Sequence, residues 1–401
     1  MRILHIVGSI SPAAGGPTEA IRMLIEHAPP GYTSEVVTLN DPAEPFLASF
    51  PFKITALGSP NKSWYVPALT RWLKANRDRF DGVMLHGLWE YTGVAVLRSI
   101  AGHKPYVVFP HGMLDPYFKR AFPAKHAKKW LYWLLNDYWL LRSAFRVLFT
   151  TQIEADLARQ SFWLSQWQPM VVALGAEPPP HDPSISIPAF YEKCPEIRGH
   201  AFLLFLGRID PKKGCDLLIE AFADFSKQMD GFTAVGVTDP KLNLVMAGPD
   251  ANGWRNELQA AAERNGIADR IHWPGILLGE AKWGAFAACD AFVLPSHQEN
   301  FGIAVVEALA CAKPVLISDQ INIYRDVLAD GCALVGSDTL KGTTRLLESW
   351  IALTPDQRAA MSQQALTTFA TRYDMRHNAA TILRVFEQAP HAAPNSLAEA
   401  L

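Results

Sequence analysis

Residues His297–Asp319 read HQENFGIAVVEALACAKPVLISD, in which Glu299 and Glu307 bracket the apolar run Asn300–Val306. A carboxylate left unpaired in so apolar a stretch is costly, so Glu307 needs a partner. That partner is either a structural Arg or Lys or a ligand. The preceding AFVLPS reads as a strand and HQEN as the loop at its carboxyl end, with a helix opening at Phe301 and Gly302. Glu307 then lies about two turns into the helix, on the order of 10 Å from Glu299 along the axis. The backbone N–H groups near Phe301–Ile303 form a helix N-terminus, which favours an anion. A carboxylate accepts from hydroxyls, and a ribose diol offers two.

A second constellation is FLLFLGRIDPKKGCDLLIEAF, Phe202–Phe222: a strand, a turn rich in Gly, Pro and charge, then a helix. Arg208 and Lys213 project from that turn, and two fixed cations there suit a diphosphate. A solvated basic turn is the plainer alternative. The order of a P-loop is absent. A sugar, a diphosphate and a ribose in a row describe a nucleotide sugar. Three further strand ends carry candidates. VGSISPAAGGPTEA holds Gly15 and Gly16, which let backbone approach a ligand closely or simply make a flexible loop. FPHGMLDPY holds His111, either a working or a structural histidine. LHGLWEYTG holds His86, Trp89 and Glu90, with Trp89 also readable as core.

The elements that must position these residues alternate. Strands are predicted at 3–8, 35–39, 82–86, 106–110, 146–150 and 170–174, then at 202–206, 242–247, 270–273, 291–295 and 314–317. Helical patterns lie between, among them 18–27, 67–78, 125–142, 216–225, 254–265, 280–288 and 302–311. Continuous apolar strands alternating with helices imply parallel sheets covered on both faces. The Pro-rich stretch Glu177–His200 has no sustained period and reads as a linker. The expected organisation is a domain over 1–180, a linker over 181–200, a second domain over 201–374, and a helix at about 375–390 that packs back on the first. The tail 389–401 reads as weakly ordered. Ligands in such folds bind beyond the carboxyl ends of strands, so the cleft between the domains is the default site.

Bulk properties narrow the class. A chain of 401 residues is long for one core. A formal net charge of −2 does not suggest a nucleic-acid binder. The five cysteines form no C-x-x-C pair, which points to a reducing compartment and to neither a zinc site nor a disulfide framework. The N-terminal MRILHIVGSI reads as a first strand rather than a signal peptide. The longest apolar stretch, 130–149, is broken by Asn136, Asp137, Arg142 and Arg146. Within 119–146, Lys119, Arg120, Lys125, Lys128 and Lys129 precede a Trp/Tyr/Leu-rich helix, a pattern suited to an anionic membrane surface or to a helix with solvated lysines. No Asp-x-Asp, His-Glu-x-x-His or other clear metal cluster is present.

GRIDPKKG, LVMAGPD and ENFGIAVVE continuing into ALACAKPVLISD, in this order and spacing, resemble the retaining glycosyltransferases of family 4 (glycosyl transferases group 1). The resemblance covers essentially the whole chain and is strongest over 202–319. It implies an α/β GT-B fold, two doubly wound Rossmann-like domains facing across a cleft, with the acceptor on the N-terminal domain and the nucleotide sugar on the C-terminal one. It implies that Arg208, Lys213, Gly15, Gly16, Phe301 and Gly302 hold the donor diphosphate, that Glu307 binds the ribose, and that Glu299 and His111 act at the transferred sugar. His86, Trp89 and Glu90 resemble acceptor-side positions. No metal or other cofactor is expected. The reaction implied is transfer with retention to a glycan or lipid-linked saccharide in cell-surface polysaccharide synthesis, in the cytoplasm, with peripheral contact at the inner face of the membrane. A nucleotide-sugar epimerase on the same fold and an inactive sugar-nucleotide-binding subunit remain as alternatives. Donor choice is expected to depend on side chains around Glu299 and on the loop before LVMAGPD. Two departures stand out: ALGAEPP replaces the commoner Asn-Gly-Val-Asp before the linker, keeping Gly175 with Glu177 in place of the acid. TTQIEADL replaces Thr-Ser-x-x-Glu, keeping Glu154 in register.

Overall fold

The computed structural model describes residues 1–12, 15–59, 65–229, 242–250 and 253–389. The tail from 390 and the loop 230–241, to which donor choice was assigned, lie outside them. The chain forms two compact units: Met1–Leu174 together with the segment from Met375, and Gly175–Asp374.

Among the described residues, the first unit holds a seven-stranded sheet of β1 (Arg2–Val7), β2 (Thr33–Thr38), β3 (Ile54–Ala56), β4 (Gly82–His86), β5 (Tyr106–Phe109), β6 (Arg146–Phe149) and β7 (Pro169–Val171), in the order β3-β2-β1-β4-β5-β6-β7. The second holds a six-stranded sheet of β8 (Phe202–Leu206), β9 (Asn243–Ala247), β10 (Ile271–Gly275), β11 (Ala291–Leu294), β12 (Val315–Ser318) and β13 (Ala333–Gly336), in the order β10-β9-β8-β11-β12-β13. Every pairing is parallel. Helices cover the faces, which is why β4, β5, β9, β11 and β12 are buried at every position. Strand order reverses between β1 and β4 and again between β8 and β11. Those two switch points are where adjacent loops diverge and leave room for a ligand.

Several sequence expectations need correction. The stretch 181–200 is not an irregular linker: Pro183–Lys193 is a helix of the second unit. Asp182 caps it by accepting from Ser184 N–H, and Pro183 supplies the fixed φ of a first turn. The helix packs on helix Gly279–Ala288. Gly284 permits that approach, since a Cβ there would sit 2.0 Å from the Ser186 carbonyl oxygen. The single helix expected over 125–142 is instead Pro123–Tyr132, a π-helical turn Trp133–Asp137, and Tyr138–Ser143. The turn brings Asn136 and Asp137 inward, 6% and 0% exposed, where Asn136 Nδ2 donates to Asp137 Oδ1. The edge strands β3 and β13 escaped the pattern because they are short and mostly half-buried, without the continuous apolar run of the central strands.

Candidate functional site

At the second unit's switch point, the turn after β8 is built on fixed backbone. Gly207 N–H donates to Ala247 O and Ile209 N–H to Pro249 O, so the residues flanking Arg208 are held against the loop after β9. Arg208 itself is exposed at the strand end. Asp210 accepts from Lys212 N–H and starts the short helix Pro211–Lys213. Gly214 then turns left-handed at φ 66°, where a Cβ would sit 2.3 Å from Pro295 O. Across the switch point, Ser296 Oγ and His297 N–H both donate to Lys212 O at 2.9 Å. The loops after β8 and β11 are therefore locked together beside Lys213.

Glu299 is fixed from the other side. Its N–H donates to Gln320 O at 3.0 Å, and its carbonyl accepts from Asn322 N–H at 3.1 Å. Its carboxylate pairs with Lys213 Nζ, both side chains less than one-fifth exposed. Gly302 caps helix Ile303–Ala310 at φ 78°. Phe301 is 4% exposed and packs edge-on against Tyr373, so a ligand at this end would meet its backbone and not its ring. Glu307 has a cation partner: Lys282 Nζ donates to its Oε1 at 2.7 Å. Lys282 comes from helix Gly279–Ala288, too far along the chain for sequence spacing to suggest it. A pocket of about 300 Å³ adjoins the turn, lined by Ile209, Met246, Gly248, Asp250, Arg255 and Trp273 among others. It was not foreseen, although the Gly-Pro-Asp after β9 marks its rim.

In the first unit, Gly15 takes φ 73° ahead of helix Gly16–Glu26, and a Cβ there would meet nothing within 4 Å. The loop after β5 carries His111 at φ 50°, a left-handed conformation that costs a non-glycine residue roughly 1–3 kcal/mol. Glu154 helps hold it: buried at 4% exposure, it accepts from Gly112 N–H at 2.9 Å and from Thr150 N–H at 2.7 Å. His111 stacks on Phe109 with centroids 4.3 Å apart, and its Nε2 lies 2.9 Å from His86 Nδ1. His86 is 1% exposed, so its placement on the acceptor side is corrected: a ring enclosed by neighbouring strands cannot touch an acceptor. Burial lowers the pKa of His111 to about 3 and of His5 to about 4, and together with the two neighbouring imidazoles it lowers that of His86. All three rings are neutral at pH 7.

Trp89 sits at φ 69°, its N–H donating to Asp137 Oδ2 and its ring lying under Lys129 Nζ at 4.5 Å. Burial pushes the Asp137 carboxyl up to about 7 and raises that of Glu90. The Glu90 carboxylate lies over Gly8 at the end of β1, where a Cβ would fall 1.8 Å from its Oε2. Gly8 thus leaves room for an acid at the first unit's switch point.

Two adjacent family models match most of the chain: the Glycosyl transferase 4-like domain over residues 15–175 and Glycosyl transferases group 1 over 190–368. The chain belongs to the group 1 glycosyltransferases of family 4. Among relatives, it is 25% identical to the GDP-mannose:cellobiosyl-diphosphopolyprenol alpha-mannosyltransferase of Xanthomonas campestris over 94% of both chains. It is 32% identical over 169 residues to the D-inositol 3-phosphate glycosyltransferase of Actinosynnema mirum, a match spanning 41% of this chain and 39% of that one. In fold it is similar to Anabaena HepE, solved in complex with UDP and glucose, at TM-score 0.74 and 17% identity, covering 97% and 100% of the two chains.

One set lay beyond sequence reasoning altogether. Cys194, Glu196 and His272 bring one potential ligand atom each to within 4.8 Å of one another. Cys194 Sγ already donates to Glu196 Oε1 at 3.4 Å, and burial pushes its thiol up to about 12. Cys194 and Glu196 precede β8 while His272 lies on β10, so only the sheet order joins them.

Proposed function

We propose that the Gly175–Asp374 unit of this glycosyltransferase binds a nucleoside-diphosphate sugar and passes the sugar, with retention, to a saccharide or lipid-linked saccharide acceptor. The reading rests chiefly on the second switch point, where Arg208, Lys213, Glu299 and the N-terminus of helix Ile303–Ala310 converge on loops fixed by backbone hydrogen bonds. Arg208 and Lys213 neutralise the diphosphate as it leaves, supported by backbone at Phe301 and Gly302. The diphosphate competes with Glu299 for Lys213, and the carboxylate so released accepts from sugar hydroxyls. Glu307, oriented by Lys282, accepts from the ribose diol. The pocket beside the turn, with Trp273 as one wall, suits a planar base. His111 contacts the transferred sugar, Glu90 and Trp89 are acceptor-side residues, and a donor phosphate oxygen takes the acceptor's proton in same-face attack. No divalent cation is needed, because fixed cations do the neutralising.

The test is a panel of UDP-, GDP- and ADP-sugars scored by ligand-induced thermal shift and by slow release of free nucleotide. One diphosphate class is expected to stabilise the protein, equally with and without EDTA. In Glu307→Ala its affinity drops about tenfold or more, the effect of losing hydrogen bonds to a charged group. Unchanged affinity in that variant would leave Lys282 as the sole purpose of Glu307. Loss of activity in EDTA would remove the metal-free mechanism. An α-linked donor is expected to give an α-linked product, and an inverted anomer by NMR would sink the same-face attack.

A lipid-linked acceptor at the inner face of the membrane is supported by the surface of the first unit. Leu131, Leu134, Leu135 and Trp139 are exposed on the helical run 123–143, Trp163 stands 80% exposed beside Trp130, and Lys119, Arg120, Lys125 and Lys128 are exposed alongside. Exposed apolar side chains preceded by exposed basic ones on the same helical run match an anionic bilayer surface. Among the described residues no helix is long and apolar enough to cross a membrane. The acceptor's polyprenyl diphosphate in the Xanthomonas relative's name supports the same reading. The full chain is expected to float with vesicles containing anionic phospholipid, and Leu135→Glu with Trp163→Glu to abolish flotation. Failure of the unaltered chain to float would retire the membrane contact.

A further inference from the structure

Three histidines and a serine form a diagonal across the first sheet. In the parallel register Ser34 pairs with Ile3, His5 with Met84, and His86 with Phe109. Each step from Ser34 to His5, His86 and His111 therefore crosses one strand and advances two residues along the chain. Two residues is the repeat of a strand, so Ser34, His5 and His86 fall on one face, and His111, two residues beyond the end of β5, joins them through its contact with His86. Diagonal neighbours of this kind are within reach of ring side chains. His5 Nε2 lies 3.3 Å from Ser34 Oγ, His5 Nδ1 lies 3.0 Å from His86 Nε2, and His86 Nδ1 lies 2.9 Å from His111 Nε2. The ring planes are tilted by only 23° and 14°, with centroids 5.3 and 5.2 Å apart, so the rings meet edge to edge. His5 and His86 are 0% and 1% exposed, while Ser34 and His111 at the two ends are partly exposed.

A neutral imidazole carries one N–H and one bare nitrogen. In a row of neutral rings, each contact needs one donor and one acceptor, so every ring must use the same nitrogen. Two arrangements satisfy all contacts. With protons on Nε2, each ring donates toward Ser34 and His111 Nδ1 is a bare acceptor. With protons on Nδ1, the Ser34 hydroxyl donates to His5, each ring donates toward His111, and His111 Nδ1–H is a donor. Mixed arrangements set two donors or two bare nitrogens face to face inside the sheet, where nothing else compensates.

We propose that His5 and His86 are positioning residues that act through this row: they lock the tautomer of His111 and so decide whether its outer nitrogen donates or accepts at the end of β5. The row spans the switch point between β1 and β4, where the sheet meets the loops that carry Glu90 and His111. Its kinetic consequence rests on the reading of His111 as a contact of the transferred sugar. The shared tautomer does not.

The test uses the full chain labelled with ¹⁵N-histidine and long-range ¹H–¹⁵N correlation, which separates the two tautomers. His5, His86 and His111 are expected to be protonated on the same nitrogen. Ser34→Ala, at the partly exposed end, is expected to move the ring resonances of His111 as well as those of His5. His86→Leu is expected to give His111 averaged shifts, and to lower kcat about tenfold to a hundredfold with donor KM within about twofold. A mixed set of tautomers in the unaltered chain overturns the proposal. So does a Ser34→Ala change confined to His5, a result available even if His86→Leu does not fold. If the tautomers are shared while His111→Ala retains full transfer, the row stands and the assignment of His111 to the sugar falls.

Discussion

Lys213→Met is expected to lower the transfer rate by about 10²- to 10³-fold, the range for removing a fixed group that stabilises developing charge. Of the two cations at this turn, Arg208 is exposed while Lys213 is mostly enclosed and held in an ion pair. Its neighbour Lys212 has a carbonyl held by both Ser296 and His297, and Gly214 follows in a left-handed turn pressed against Pro295. Its ammonium already has a carboxylate partner in Glu299, so the substitution does two things. It removes positive charge from the proposed diphosphate position, and it leaves Glu299 in a mostly enclosed place without its cation. The second effect costs about 1–3 kcal/mol of stability, on the scale of a charged hydrogen bond. A double-mutant cycle with Glu299→Gln separates the two. If Lys213 serves only to hold Glu299, the double variant is no slower than Glu299→Gln alone. If Lys213 meets the diphosphate, the double variant is slower again, by at least tenfold. The measurement is single-turnover transfer at saturating donor, with thermal denaturation run in parallel. Transfer within a factor of three of the unaltered enzyme would remove Lys213 from the mechanism.

How much of this was visible beforehand follows from the range of the interactions. The alternation of apolar strands and helices is local, and it placed β4, β8 and β11 to within a residue. The turn at Arg208 and Lys213, the loop at Glu299 and the helix at Gly302 are also local, each a strand end followed by a helix start. What the chain could not disclose by itself is who pairs with whom across strands. Lys282 reaches Glu307 from a neighbouring helix, and His5 reaches His86 from an adjacent strand. Both depend on sheet order and register, which no spacing in the sequence encodes. His86 was misplaced for the same reason: a polar residue at a strand end suggests a ligand contact unless the rings on either side are known. Glu154 shows the converse. Its position in TTQIEADL was legible, yet its work is to hold the backbone beside His111, a contact with Gly112 from another strand end. The helix Pro183–Lys193 was hidden by composition, because Pro183 and Pro188 read as loop formers while one opens the helix and the other is accommodated within it.

Gly248→Ala is expected to cost more than about 4 kcal/mol, the range reserved for clashes or strain that the fold cannot relax. Gly248 is the glycine of LVMAGPD, which follows β9. Its φ of 144° is one that L side chains rarely adopt, and a Cβ there would fall 1.7 Å from the carbonyl oxygen of Gly207 and 2.7 Å from the carbonyl carbon. Both contacts are backbone, so no side chain can swing aside. Gly207 cannot retreat either, since its own N–H is bonded to Ala247 O and it immediately precedes Arg208. Gly248 N–H is bonded in turn to Gly275 O, which ties the turn to the end of β10. Three strand ends therefore meet at a point where only hydrogen fits, and the Arg208 turn and the adjoining pocket are both shaped there. The melting temperature of the Gly175–Asp374 unit should fall by on the order of 10 °C. Gly15→Ala is the control. It too has positive φ, but a Cβ there meets nothing within 4 Å, so only the backbone strain of its φ 73°, ψ −127° conformation applies, about 1–3 kcal/mol. If Gly248→Ala melted no lower than Gly15→Ala, the close approach of the β8 and β9 ends would not hold in solution. The placement of Arg208 beside the pocket would then lose its physical basis.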